Sequence, residues 1–462
     1  MASSIQQVNM TEGSILPKVI RFSLPLAATG VLQLLFNAAD VIVVGKFAGA
    51  TALAAVGATT ALINLLVNAF MGISVGVNIL VARYLGCRDD VRVRNSVHTA
   101  FALSFLLGIV VMIAGLTLST PLLELMATPE DVLPLSSLYL RIYFIGIPGT
   151  IMYNFGAALL RAFGDTKRPM VFLTVSGIVN ACLNLFFVIV CSMSVDGVAT
   201  ATVISQYISL FLVIRCLCKS EGLSHLELKN IRLHREEAVH MIQIGLPAGL
   251  QSTLFSISNV LIQSSVNSFG ASVVAANTAA ASIEGFIYTA MNSVFHAAIT
   301  FTSQNLGAGR IDRIKKVLGA CVTTVLMIGL PLNLLCYLLG PNLLSIYVSS
   351  ADPTYEAVIQ YGVIRLHRIG CIYFLCGLME VMCGMVRGLG KSWLPMFVTG
   401  VGACLSRIIW LYTIFRAFHT PEILYDSYPM SWILTFCMHA ACFFVIYRSY
   451  VKKLAAKTTA AT

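Results

Sequence analysis

Residues 20–47 read IRFSLPLAATGVLQLLFNAADVIVVGKF and decide the fold class of this chain. About 20 apolar residues are enough for a helix to cross a hydrocarbon core of about 30 Å. The stretch also carries Gln33, Asn37 and Asp40, whose spacing places all three on one face of a helix. A carboxylate that faces lipid costs at least about 2.5 kcal/mol. This polar face is therefore predicted to point into a bundle interior or a water-filled cavity.

The composition of the whole chain is typical of a membrane protein with many spans. Of its 462 residues, 58% are apolar and 11% are charged, whereas an average soluble protein is about 25% charged. We predict an all-α polytopic membrane protein with twelve transmembrane helices. The apolar segments lie near residues 20–45, 53–80, 97–118, 135–159, 169–191, 197–217, 241–267, 273–302, 317–340, 358–386, 394–418 and 430–449.

The connectors between these segments alternate in charge. Most lysines and arginines fall at the two ends and in every second connector, and the intervening connectors are acidic or nearly neutral. Basic connectors stay in the cytoplasm, so both termini are predicted to be cytoplasmic in a cell-membrane protein. This placement also accounts for the net charge of +10 without a nucleic-acid partner.

The second half of the chain repeats the first. Pro25 and Asn37 recur as Pro247 and Asn259, 222 positions later, and RAFGDTKRPM after the fourth segment returns as RGLGKSWLPM after the tenth. An even number of spans per half predicts parallel repeats, an architecture of transporters whose substrate site lies between two lobes near mid-membrane. The predicted parts are an N-terminal lobe at 1–220, a linker at 221–240 and a C-terminal lobe at 241–462.

These motifs resemble the multidrug and toxic compound extrusion (MATE) family. The resemblance rests on the first segment, on RAFGDTKRPM, on GVATATVISQ from Gly197 and on FTSQNLGAG from Phe301. It implies an antiporter that expels organic cations, such as drugs and dyes, in exchange for H⁺ or Na⁺. It also implies twelve helices in two pseudo-symmetric six-helix lobes that alternate between outward-open and inward-open states.

The resemblance further implies a cation-coupling site in the first lobe. The family pattern has an acid on span 1, an Asn and an Asp one turn apart on span 5, and a Thr on span 6. Asp40, Asn180 and Thr202 match it, but Asn184 stands at the second acid position, which leaves the coupling ion open between H⁺ and Na⁺. A coupled Na⁺ would take its oxygen ligands from these four residues, whereas one carboxylate suffices for a proton. We add Asn37 to this site.

Two acids in the second half are candidates for substrate binding. Glu284 shares a helix face with Tyr288 and Asn292, and an acid beside an aromatic ring suits a bulky organic cation. Glu380 lies within the tenth segment. The alternative for Glu284 is a salt bridge to an arginine of a neighbouring span, with Arg407 as the possible partner. The alternative for Glu380 is pairing with a basic residue earlier on its own span.

Further polar side chains within the segments are predicted to line the substrate cavity. They are Gln33, Asn64, Asn68 and Asn259. The alternative is hydrogen bonding that holds neighbouring helices together, and it applies equally to Asn180 and Asn184. The hydroxyl of Thr202 has a local alternative, a bond to the backbone of its own helix.

The sequence favours neither an enzyme nor an ATP-driven pump. It holds no GxxxxGK[ST] loop and no HExxH pair, so we predict no cofactor besides the coupling ion. The thirteen cysteines are scattered and are predicted to be reduced. The expected partners are small-molecule organic cations and membrane lipids, and the expected state is a monomer. The second candidate function is a flippase for a lipid-linked precursor, which would need several cavity arginines or lysines.

Overall fold

The structure of the protein is a computed structural model that describes residues 9–126, 128–348 and 353–459. Within these ranges the chain is helical throughout, with short connectors. The prediction of an all-α polytopic membrane protein is confirmed. Side chains outside the description are those of residues 50, 53, 61, 64–66, 68, 69 and 457–459.

Six long helices form the first half. They are α1 (Leu16–Val43), α2 (Ala50–Cys87), α3 (Asp90–Leu125), α4 (Leu133–Ala162), α5 (Lys167–Leu185) and α6 (Val195–Cys218). Short π-helical turns extend α1 through Val44–Ala48 and α5 through Phe186–Val190. The linker that follows contains the 3₁₀ turns Gly222–Ser224 and Leu228–Asn230.

The second half repeats this order with more interruptions. Its helices are α7 (Arg235–Asn267), α8 (Ala271–Gly307), α9 (Ile311–Ser345), α10 (Tyr355–Arg368), α11 (Phe374–Gly388), α12 (Trp393–Thr399), α13 (Ser406–Trp410) and α14 (Pro421–Thr459). A 3₁₀ turn, Gly370–Ile372, joins α10 to α11. The π-helical turn Gly400–Leu405 joins α12 to α13 without leaving the helical path.

Nine helical segments of the described ranges are long and apolar enough to cross a membrane, when the run Trp393–Phe415, which contains α12 and α13, is counted as one. The number is ten if α10 and α11, which meet at a bend of 42°, form one span. The long helices α7 and α8 are not among them. The nine helices, the bent pair α10–α11, and the helices α7 and α8 together occupy the positions of all twelve apolar segments predicted from the sequence.

The backbone turns repeat with the same spacing as the sequence motifs. Gly49 precedes α2 with φ of 92°, and Gly270 precedes α8 with φ of 91°, 221 positions later. Gly164 and Gly390, 226 positions apart, have φ of 88° and 86°. Side chains with a Cβ rarely adopt such angles, which explains glycine at these turns. The two halves of the chain therefore share local structure as well as sequence.

The chain divides into two compact units. The first contains Ala28–Gly249, and the second contains Met10–Ala27 together with the chain from Leu250 onward. Both boundaries fall inside helices, in α1 two residues after Pro25 and in α7 two residues after Pro247. A proline removes one helical hydrogen bond, so each boundary lies beside a point where the helix is weakened. The lobe boundaries predicted from the sequence remain a prediction.

The first unit contains a glycine-mediated helix contact. The run GISVG at 72–76 has the Gly-x-Ser-x-Gly spacing of a catalytic nucleophile, but it lies inside α2. Ser74 is buried, and its hydroxyl donates to the carbonyl of Met71 at 2.7 Å. A Cβ on Gly72 would lie 2.1 Å from the backbone nitrogen of Gly249. The run therefore allows α2 and the N-terminal half of α7 to pack backbone against backbone.

Candidate functional site

The polar face of α1 meets α5 inside the first unit. Asp40 lies in the last turn of α1, and Asn184 of α5 is fully buried. The amide nitrogen of Asn184 donates to Oδ1 of Asp40. Gln33 and Asn37, on the same face of α1, are exposed. The predicted polar face thus combines an anchored carboxylate with two accessible amides.

A second amide completes the surroundings of this carboxylate. With its amide nitrogen turned toward Asp40, the orientation that the neighbouring atoms favour, Asn180 places Nδ2 at 2.9 Å from Oδ1 and 3.2 Å from Oδ2. The other amide atom of Asn180 lies 3.4 Å from Oγ1 of Thr202. The hydroxyl of Thr202 donates to the carbonyl of Val198 at 3.0 Å, which is the local bond expected of a helical threonine.

The structure therefore brings together four of the five residues predicted for ion coupling. Two amides donate to one carboxylate, and Oδ1 of Asn184 is buried without a hydrogen-bond partner in the part of the chain that the structure describes. The same part contains no group of three or more His, Cys, Asp or Glu side chains that could hold a metal ion. Asn37 makes no contact with this group among the described hydrogen bonds. Its coupling role, like that of the others, stays a prediction.

In the second unit, Glu284 is neutralised by an arginine. Nε and Nη2 of Arg365 donate to its two carboxylate oxygens at 3.0 and 2.7 Å, and Nη1 donates to Oδ1 of Asn277 at 2.6 Å. The alternative reading, a salt bridge to an arginine of a neighbouring span, is thus observed, but the partner is Arg365 and not Arg407, which the sequence had suggested as a possible one. Arg365 of α10 packs against α8 and fills this position, whereas Arg407 is held elsewhere by Asn259.

The other residues predicted to bind substrate in the second unit have no arginine partner among the described ion pairs. Tyr288 is 38% exposed, and its hydroxyl lies 3.4 Å from Nδ2 of Asn292. Glu380 of α11 is 9% exposed and has no basic side chain within 4.0 Å among the described ion pairs. Unlike Glu284, Glu380 is therefore a buried acid without an ionic partner among the described ion pairs. Asn64 and Asn68 lie outside the described side chains.

Sequence reasoning misplaced the buried cation Arg387. Arg387 was expected in a cytoplasmic connector, but the structure places it in the last turn of α11 at 3% exposure. Its Nη2 donates to Oε1 of Gln251 on α7, and Cys383 lies 3.5 Å from the same amide. Arg387 belongs to the RxxG pattern that occurs in both halves, so the repeat did single out this residue. It was nevertheless assigned to a connector because other basic residues stand near it in the sequence.

Comparison with known proteins identifies the family. Residues 25–186 and 247–413 match the MatE family profile, one copy in each half. The chain belongs to the MatE family. Two similar proteins come from Bacillus subtilis. Probable multidrug resistance protein YoeA is 28% identical over 390 residues, which cover 82% of each chain. Probable multidrug resistance protein YpnP is 29% identical over 387 residues, which cover 83% of this chain and 84% of that protein.

Solved structures show the same fold. An outward-facing multidrug resistance MATE family transporter of the MOP superfamily superposes with a TM-score of 0.86 at 21% identity, over 99% of this chain and 100% of that one. The MATE resemblance inferred from the motifs is confirmed, as is the expectation that the protein is a transporter and not an enzyme.

Proposed function

We propose that this MATE transporter is an antiporter of the cell membrane, with cytoplasmic termini, that exports organic cations in exchange for protons. The observation that carries the proposal is the single carboxylate of Asp40, held in the first unit by the amides of Asn180 and Asn184. A half-buried carboxylate in a membrane helix is expected to be paired, hydrogen-bonded or protonated, because an isolated charge is costly in this environment.

Two states of Asp40 follow from these contacts. When ionised, the carboxylate accepts N–H bonds from both amides. When protonated, it must donate its O–H, so one amide has to turn and offer its oxygen. If the amide of Asn184 turns, its Oδ1, which is buried without a partner among the described residues, takes the place of the Nδ2 that now contacts Asp40 and can accept this O–H. Loading a proton therefore changes the bonding between α1 and α5, which is what coupling to a conformational step requires.

Sodium is the less favoured coupling ion. A hard cation prefers several oxygen ligands, and anionic ones bind it best. Here the carboxylate of Asp40 faces amide nitrogens, and the family's second acid is replaced by Asn184. A Na⁺ ion at Asp40 would have to turn both amides away from it. A proton requires only one of the two amides to turn.

The organic-cation substrate is supported by Glu380 and by Tyr288. The acid has no basic partner among the described ion pairs, and the tyrosine ring is accessible. A guest cation that approaches an acid and a ring gains both charge pairing and a cation–π contact. Its drug-like character is suggested by the multidrug resistance names of the Bacillus relatives.

The test is efflux of ethidium from sealed vesicles that contain the purified protein. A pH gradient and a Na⁺ gradient are imposed separately, with protein-free vesicles as the control. We expect the pH gradient alone to drive efflux. Efflux that requires Na⁺ would refute proton coupling, and efflux under neither gradient would refute cation export.

A further inference from the structure

Two buried arginines of the second unit differ in how their charge is balanced. Arg365 has an ionic partner in Glu284 and uses three of its nitrogen atoms as donors. Arg407 of α13 is 3% exposed, and no carboxylate lies within 4.0 Å of it among the ion pairs of the described ranges. A buried guanidinium without an anion is costly in a membrane protein. In the described part of the chain, no carboxylate therefore balances this charge.

The hydrogen bonds of Arg407 also leave capacity unused. Nε donates to Oγ of Ser431 at 2.9 Å, and Nη1 lies 3.4 Å from Oδ1 of Asn259, a long contact. The ring of Tyr428 lies 4.3 Å from the guanidinium carbon. A guanidinium has five N–H donors, so most of them have no protein acceptor among the described residues. Asn259 is exposed and Tyr428 is half-buried, which leaves the group approachable.

The internal repeat gives this arginine a counterpart. Asn259 is the repeat equivalent of Asn37, one turn before Asp40, and Arg407 lies one position after the equivalent of Asn180 at the 226-residue offset. The pair of helices that carries a carboxylate in the first unit thus carries a guanidinium in the second. The equivalent helix pairs therefore carry opposite charges, although Asp40 and Arg407 lie at different positions of the repeat.

We propose that Arg407, together with Asn259, Ser431 and Tyr428, forms an anion subsite that binds a phosphate or carboxylate group of the transported molecule. Two guanidinium N–H groups can bind two oxygens of such a group side by side. The ring of Tyr428 supplies a surface for a planar portion of the same molecule. The inference rests on the proposed transport function and extends its substrates to molecules that carry an anionic group.

The test compares riboflavin 5′-phosphate with riboflavin, which share one fluorescent ring and differ in the phosphate. Binding to the purified full-length protein is followed by fluorescence quenching at low salt, where charge interactions are least screened. We expect the phosphate form to bind about tenfold tighter or more, as for a hydrogen-bonded charge pair. Arg407→Gln should bring the two affinities together, and Arg407→Lys should retain part of the difference.

A matched control is Arg368→Gln, because Arg368 is half exposed and pairs with Asp426. It should keep the wild-type ratio of affinities. Equal wild-type affinities, no saturable binding of the phosphate form, or an unchanged ratio in a folded Arg407→Gln protein would overturn the proposal. The wild-type comparison decides the matter even if the glutamine variant does not fold.

Two further arms identify the source of the anion. The pair 7-hydroxycoumarin and 7-hydroxycoumarin-3-carboxylate tests a carboxylate in the same way. The second arm adds phosphatidate micelles as competitor, with phosphatidylcholine micelles as the control. Displacement of the flavin by phosphatidate supports a lipid phosphate as the bound group, and no displacement supports the phosphate of a soluble molecule. The binding assay needs no ion gradient, so its failure is distinguishable from a failure of ethidium–proton exchange, which would refute the proposed function.

Discussion

Replacing Glu284 by glutamine should strongly destabilise the second unit, because it leaves the guanidinium of Arg365 buried without a charge partner. The two side chains are 5% and 6% exposed, and two donor–acceptor contacts of 3.0 and 2.7 Å join them. Removing one member of a buried pair typically costs about 3–5 kcal/mol. Glu284→Gln keeps one acceptor oxygen, so we expect a loss of about 3 kcal/mol, at the lower end of that range.

Other contacts of Arg365 remain in this variant and limit the loss. Nη1 still donates to Asn277, and the rings of Tyr425 and Tyr428 lie 5.3 and 5.4 Å from the guanidinium carbon. The double variant Glu284→Gln with Arg365→Gln should recover much of the stability, since two neutral amides leave no unpaired charge.

The assay is thermal unfolding of the purified protein in detergent, with an exposed ion pair as the matched control. Asp426→Asn breaks the pair with Arg368, whose side chain is 49% exposed, and such pairs contribute about 0–1 kcal/mol. The melting temperature should fall clearly for Glu284→Gln and hardly for Asp426→Asn. Equal shifts, or a double variant as unstable as the single one, would refute the reasoning from burial.

Three further variants test other parts of the structure. Asn184→Asp restores the family's second acid beside Asp40, so ethidium efflux should become dependent on a Na⁺ gradient; efflux still driven by pH alone would contradict the ligand argument. Gly72→Ala should lower the free energy of unfolding by about 1–3 kcal/mol, because the new Cβ meets the backbone of Gly249. Gly57→Ala on the same helix, where the Cβ would enter open space, should be neutral or slightly stabilising in thermal unfolding. Asp89 caps the N-terminus of α3, and its carboxylate accepts a hydrogen bond from the backbone N–H of Arg92 at 3.1 Å. Asp89→Ala removes this cap and should lower the free energy of unfolding by about 1 kcal/mol. No change would show that solvent replaces the cap.

The sequence predicted the features that depend on periodicity. Helical spacing placed Asp40 on the polar face of α1, and the repeat of Pro25 as Pro247 matches a proline inside α1 and another inside α7. Partners across helices were harder to predict. Arg365 and Arg407 lie on different helices of the same half, and only packing decides which one reaches Glu284.

Two other features depend on atomic positions that a sequence does not encode. The orientation of the Asn180 amide is set by the carboxylate beside it, not by the residues that flank it in the chain. Arg387 lies at the end of a helix, where one turn separates a buried side chain from a connector. Sequence patterns locate helix ends less accurately than this distinction requires.

The central claim, that Asp40 carries the coupled proton, is tested most directly by ethidium efflux driven by a pH gradient in vesicles that contain Asp40→Asn. Asp312→Asn, at an exposed carboxylate that pairs with Arg310, is the matched control. We predict that Asp40→Asn abolishes pH-driven efflux while the protein remains folded, and that Asp312→Asn transports as the wild type does. Full efflux by a folded Asp40→Asn protein under the same gradient would contradict the account.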